Sequence, residues 1–165
     1  MMNRRAFGLA LAAGAGAVVL SCASEPPQLP SLREVIGSNA TFGTFARALD
    51  QAGLQSLGDA GPFTVFAPTD SAFAKLPPHT VDRLMLPENR GELLRLVQLH
   101  VVQGRFAAAD LADRTTTLTT LSGLPIVVDG LDGLHVGGAR VVQPDVMARN
   151  GVLHVIDGVL LPPKA

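Results

Sequence analysis

An α+β domain, with helices largely first and sheet largely last, is what this chain of 165 residues predicts. Three observations carry that expectation. Apolar residues recur at helical spacing between Leu32 and Leu99. Short β-rich runs broken by glycine fill the chain from Thr115 onward. Between them one strand, Phe63 to Ala67, turns sharply into a helix at Pro68, because a proline cannot donate to a ladder. The length suits one domain of ordinary size plus a leader, enough to bury a core without staples.

The leader comes first. Met1 to Leu9 is cationic through Arg4 and Arg5, and Ala6 to Leu20 is an uncharged apolar run of 15 residues. A membrane span needs about 20 residues, so the run fits the apolar core of an export signal instead. Asn3-Arg4-Arg5-Ala6-Phe7 resembles a twin-arginine signal, and the twin-arginine and general secretory routes both stay open. Val19-Leu20-Ser21-Cys22 resembles the bacterial lipoprotein box, in which the cysteine is acylated after cleavage before it; the competing reading is ordinary cleavage after Ala23. Cys22 is the sole cysteine, which favours lipidation there and leaves the folded part without an internal disulfide. The expected organisation is a signal peptide over 1–21, a lipidated cysteine with a proline-rich tether over 22–30, and a single domain over 31–165. Such a tether is extended and semi-rigid and would lift the domain off a membrane.

Ser31 can cap a short helix carrying Leu32, Val35 and Ile36, with Gly37-Ser38-Asn39 as its stop. Thr41 starts a second helix, in which Phe42, Phe45, Leu49 and Ala52 form a stripe that ends at Gly53. At the corner after Pro68, Ala72, Phe73 and Leu76 suit a turn or two of helix. Asp70 is expected to accept from the backbone N–H of Ala72 or Phe73, with Thr69 supporting the corner. Val81, Leu84 and Met85 predict another short helix, and Leu93 to Leu99 a longer one opened by Pro87 or Glu88. His100 follows, where helix gives way to strand; Val101 and Phe106 beside it favour a buried, hydrogen-bonded imidazole over a ligand or base. His79 sits in a loop and is assigned no role.

The second half predicts strands over Thr115 to Leu121, Leu124 to Val128, Leu134 to Val136, Ala139 to Val142 and Gly151 to Leu161. Ser122-Gly123, Asp129-Gly130, Asp132-Gly133 and Gly137-Gly138 separate most of them, so consecutive antiparallel hairpins follow. In the last run Val152, His154 and Ile156 alternate with Leu153, Val155 and Asp157, the period of a strand.

Composition and motifs exclude several functions. With 13 Lys and Arg against 14 Asp and Glu there is no basic excess, so nucleic acid is not expected as a partner. The absence of Trp and Tyr removes the usual stacking platform for sugars or single strands. The four histidines show no His-x-x-x-His or Glu-x-x-His pairing, and the Asp-Gly pairs lack the spacing of a calcium loop, so no metal or other cofactor is expected. No Gly-x-Ser-x-Gly elbow or Ser-x-x-Lys pair activates a nucleophile, and no catalytic residue is assigned; Ser71, His100 and Asp157 would form a triad only by an accident of folding.

Three segments together resemble a known family. Thr64-Val-Phe-Ala-Pro-Thr-Asp-Ser-Ala-Phe73 is similar to the first signature of the fasciclin domain, and Asn150-Gly-Val-Leu-His-Val-Ile-Asp-Gly-Val-Leu-Leu-Pro162 to its closing signature. Leu99-His-Val-Val-Gln-Gly104 is similar to its central histidine segment. The resemblance covers Ser31 to Pro162. It implies a wedge of about seven mainly antiparallel strands packed with several helices, with the closing signature central in the sheet. Thr69, Asp70, Asn150, Gly151, His154 and Asp157 are then structural motif residues, and Leu99 and His100 are the counterpart of a partner-binding segment. Integrin-binding members carry Tyr where Leu99 stands, so integrin is not the expected partner.

Function is expected to be non-catalytic: an exported, lipid-anchored adhesion module facing the periplasm or the cell surface, or else secreted and soluble, that contacts a surface protein, a matrix component or a second copy of itself. The alternative, also suggested by the family, is an extracytoplasmic binder of an apolar small molecule such as a pigment or lipid.

Overall fold

The computed structural model describes residues 28–55 and 61–162. The signal peptide, Cys22 and all but the last three residues of the tether lie outside them.

Ser31 caps helix α1 (Leu32–Ser38) reciprocally: its hydroxyl accepts from Glu34 N, and the Glu34 carboxylate accepts from Ser31 N at 2.6 Å. A 3₁₀ turn over Ala40–Phe42 leads into α2 (Gly43–Ala52), which ends on Gly53 in the left-handed region, φ 80°. Strand β1 (Phe63–Pro68) turns directly into α3 (Asp70–Ala74), and α4 (Thr80–Leu84) follows. A 3₁₀ turn opened by Pro87 precedes α5 (Arg90–Leu99), whose end runs into β2 (Val101–Gln103).

Beyond β2 the structure adds an element that no apolar periodicity marks, the one-turn helix α6 (Ala108–Leu111). The sheet then continues through β3 (Thr115–Thr119), β4 (Pro125–Asp129), β5 (His135–Val136), β6 (Ala139–Ala148) and β7 (Gly151–Ile156). β6 is far longer than the expected Ala139 to Val142. Its middle, Gln143-Pro144-Asp145, is exposed and polar and contains register shifts against β7, so the strand period is broken there. β7 is shorter than the expected Gly151 to Leu161: at Asp157, just past its end, the side-chain carboxylate accepts from Arg140 N in place of a backbone carbonyl.

The seven strands form one sheet in the order β2-β1-β7-β6-β5-β4-β3. Each neighbouring pair from β3 to β7 is antiparallel, as the glycine turns require, whereas β1 and β7 run parallel, Phe63 beside Gly151 through Pro68 beside Ile156. The sheet curls until its edges touch: Leu121 N donates to Val101 O at 2.9 Å, and Val102 bridges Thr120. Two cores result. Val65, Ala67, Leu153 and Val155 face the helices with Phe45, Leu49, Leu93 and Val97. Phe66 and Ile156 face inside the curl with Leu118, Ile126, Val128 and Val136. β1 and β7 are therefore covered on both faces, which explains their near-continuous apolar runs.

Candidate functional site

The three segments that stand far apart in the chain are neighbours in space: β2 carries the central histidine segment, β1 the first signature and β7 the closing one, side by side. Their polar residues are joints. Thr69 Oγ1 accepts from Ala72 N at 3.1 Å and caps α3. Asp70 does not accept from Ala72 or Phe73; its Oδ1 accepts from Thr44 N at 2.9 Å, across the corner. Helix α2 has no side-chain cap of its own, so Asp70 supplies one from another element. Asp70→Ala is expected to cost about 1 kcal/mol, with faster amide exchange at Thr44 and none at Ala72; the reverse pattern would return Asp70 to its own helix.

Asn150 Oδ1 accepts from Leu32 N at 2.8 Å, and the Asn150 carbonyl accepts from Phe63 N at 3.0 Å. One residue thus joins α1 to the start of β1. Gly151 lies against Phe63, where any Cβ would fall on the Phe63 carbonyl oxygen. Asp157 closes the opposite end: besides holding Arg140 N, its backbone oxygen accepts from Lys75 Nζ at 2.8 Å.

The two buried histidines work in the same way. His100 is fully buried; its Nδ1–H donates to Leu96 O at 2.7 Å, and its Nε2 accepts from Leu160 N at 2.9 Å. The ring therefore ties the end of α5 to the segment after β7 in its neutral form, and burial pushes its pKa down to about 4 against the opposing pull of the Leu96 carbonyl. His154, also buried, is stacked on Phe66 with ring centroids 5.6 Å apart. Its Nε2–H donates to Phe106 O at 2.8 Å and its Nδ1 accepts from Asp145 N at 3.2 Å. Burial lowers its pKa too, opposed by the Phe106 carbonyl and the Asp145 charge. Thr64, which the sequence did not single out, belongs with them: its hydroxyl donates to Gly104 O and accepts from Phe106 N.

This arrangement corrects one expectation. Leu99 is 3% and His100 0% exposed, so neither side chain can meet a partner on the folded surface. Both ring nitrogens of His100 are also committed to backbone groups, so Ser71 and Asp157 are not joined through it into a triad. Among the described residues no group of three or more His, Cys, Asp or Glu side chains is placed to share a metal ion, and Asp129 instead accepts from Leu131 N in a turn.

What the surface offers is a groove of about 890 Å³ and one stretch of strand edge outside the closure of the sheet. The groove is walled by Leu76, Leu84, Leu96, Leu124 and Leu161, with Pro77 and Pro162, and it also carries Arg83, Glu92 and Arg95. That stretch is β3, whose backbone along Thr115–Thr119 pairs with β4 on one side and, among the described residues, meets β2 only past its end, at Thr120 and Leu121. Among the described residues no helix is long and apolar enough to cross a membrane.

Comparison with known proteins agrees with this geometry. The family model described as the fasciclin domain matches residues 40–162. The chain is 45% identical over 134 residues to the Synechocystis protein sll1735, covering 81% of this chain and 98% of that one. It is 34% identical over 146 residues to the immunogenic protein MPB70 of Mycobacterium bovis, covering 88% of this chain and 69% of that one. Human periostin is 33% identical over 139 residues, covering 82% of this chain and 16% of periostin. In fold the chain is similar to a FAS1 domain pair from the insect cell adhesion molecule fasciclin I, with a TM-score of 0.53, 19% identity, and coverage of 73% of this chain and 45% of that one.

Proposed function

This chain belongs to the fasciclin domain family, and from that premise we propose that it is an exported, lipid-anchored adhesion module that works by surface contact and performs no chemistry. The observation that carries the reading is the engagement of the signature polar residues with backbone groups: Thr69 caps α3, and Asp70, Asn150, His154 and Asp157 each hold one segment to another. Side chains so committed are spent on the scaffold, which leaves recognition to the outer surface. The β3 edge along Thr115–Thr119, rich in exposed threonine, offers main-chain groups to an added strand, and Val127, half exposed on the neighbouring β4, gives apolar contact beside it.

The anchor is the lipidated Cys22, with the preceding segment as its export signal; several acyl chains on one cysteine hold a protein to a membrane stably. The family resemblance and the leader point to cell–cell or cell–matrix contact as its use, with a surface protein, a matrix component or a second copy as partner.

A deletion strain complemented with the wild-type chain or with Cys22→Ser tests this reading. Deletion should abolish adhesion of the cells to matrix or to each other, the wild type should restore it, and the Cys22→Ser chain should leave the membrane fraction and fail to restore it. Unchanged adhesion on deletion would reject the function, and membrane retention of Cys22→Ser would reject the anchor.

A further inference from the structure

We propose that the groove between α4, α5 and the C-terminal segment binds a long-chain carboxylate, its chain laid along the leucines and its head group held by Arg83 and Arg95. This site is independent of the contact function above.

Leu84 and Leu96 are 7% and 3% exposed and form a floor packed into the core, so the apolar bottom exists without any ligand. Leu161 stands above it 53% exposed, a large apolar side chain left facing water on one wall. At about 890 Å³ the groove falls within the roughly 300–1,000 Å³ typical of small-molecule sites.

Charge selects among apolar occupants. Among the described residues neither Arg83 nor Arg95 forms an ion pair, and Glu92, three residues before Arg95, pairs with neither. Two guanidiniums against one carboxylate leave the lining with one positive charge in excess. A neutral hydrocarbon would cover these guanidiniums without satisfying them, and a cationic amphiphile would be repelled. A monoanion satisfies the groove, and a carboxylate matches the planar fork of arginine.

Calorimetric titration of palmitate, below its micellar concentration, into the purified full-length chain tests this. One saturable site per chain is expected, with hexadecanol binding at least about ten-fold more weakly. Arg83→Gln and Arg95→Gln should each weaken palmitate about ten-fold without changing the melting temperature, and Leu161→Glu should weaken it while leaving the fold intact. No saturable uptake, equal binding of palmitate and hexadecanol, or indifference to both arginine substitutions would overturn the proposal. So would a concentration-dependent dimer that Leu161→Glu dissolves, which would give the groove to a second copy.

Discussion

Gly151→Ala is expected to destabilise the domain by about 3 kcal/mol or more, lowering the thermal midpoint by about 10 °C or abolishing soluble expression. The cause is steric and lies in the backbone. Gly151 opens β7 beside Phe63 of β1, and an added Cβ would fall on the Phe63 carbonyl oxygen and close on Leu32 Cδ1 at 2.9 Å. A flexible side chain could swing away; a carbonyl fixed in a strand cannot, so the parallel pair must separate where Asn150 also holds α1. Gly37→Ala is the matched control. Gly37 lies in α1 with nothing within 4 Å of its would-be Cβ, and there alanine should be neutral or should stabilise by up to about 1 kcal/mol. Equal effects of the two substitutions would dismiss the close-approach account.

Acid should weaken this domain well above the range where carboxylates titrate. His100 and His154 are held neutral in the fold, with pKa values depressed below the 6.5 of an exposed imidazole, to about 4 for His100. Above pH 6.5 both rings are neutral in the folded and unfolded chains, and their contribution to stability is fully present. As pH falls from 6.5 toward 4 the unfolded chain takes up protons that the folded chain refuses, so stability is lost across that window. At about 1.4 kcal/mol per pH unit, His100 alone accounts for a loss of about 3 kcal/mol by pH 4, and His154 acts in the same direction.

Denaturant midpoints from pH 7.5 to 4.5 would show the decline. His100→Gln should flatten it whatever its own stability, because the slope reports the proton and not the contact. A stability curve level between pH 7 and 5 would mean that the rings are charged or solvated in the fold.

The chain's local chemistry was legible without coordinates. Ser31, the Gly53 stop, the strand-to-helix corner at Pro68 and the glycine turns between β3, β4, β5 and β6 each act through residues within a few positions, so caps, periods and turn types foretold them. The same locality made Asp70 misleading. In the sequence its nearest donors are those of its own helix, yet it caps α2, whose first turn is 26 residues earlier in the chain. Asp145 hid likewise: Pro144 beside it breaks the strand period, and the consequences, a shifted β6 and a carboxylate accepting from Ala108 N at the start of α6, appear only once β7 is beside it.

The sequence by itself determined most helices and strands (though not α6 or the full extent of β6), the antiparallel order of the last five strands and the family, because short-range hydrogen bonds and two residue periods encode them. Tertiary structure alone decided that β1 and β7 lie parallel, that Gly151 admits no side chain, that Leu99 and His100 are interior, and that two arginines without an ion pair among the described residues share a leucine-lined groove. Each of these depends on groups brought together across long stretches of chain by burial on both faces of β1 and β7, and no local pattern of residues reports which segments a curled sheet will make neighbours.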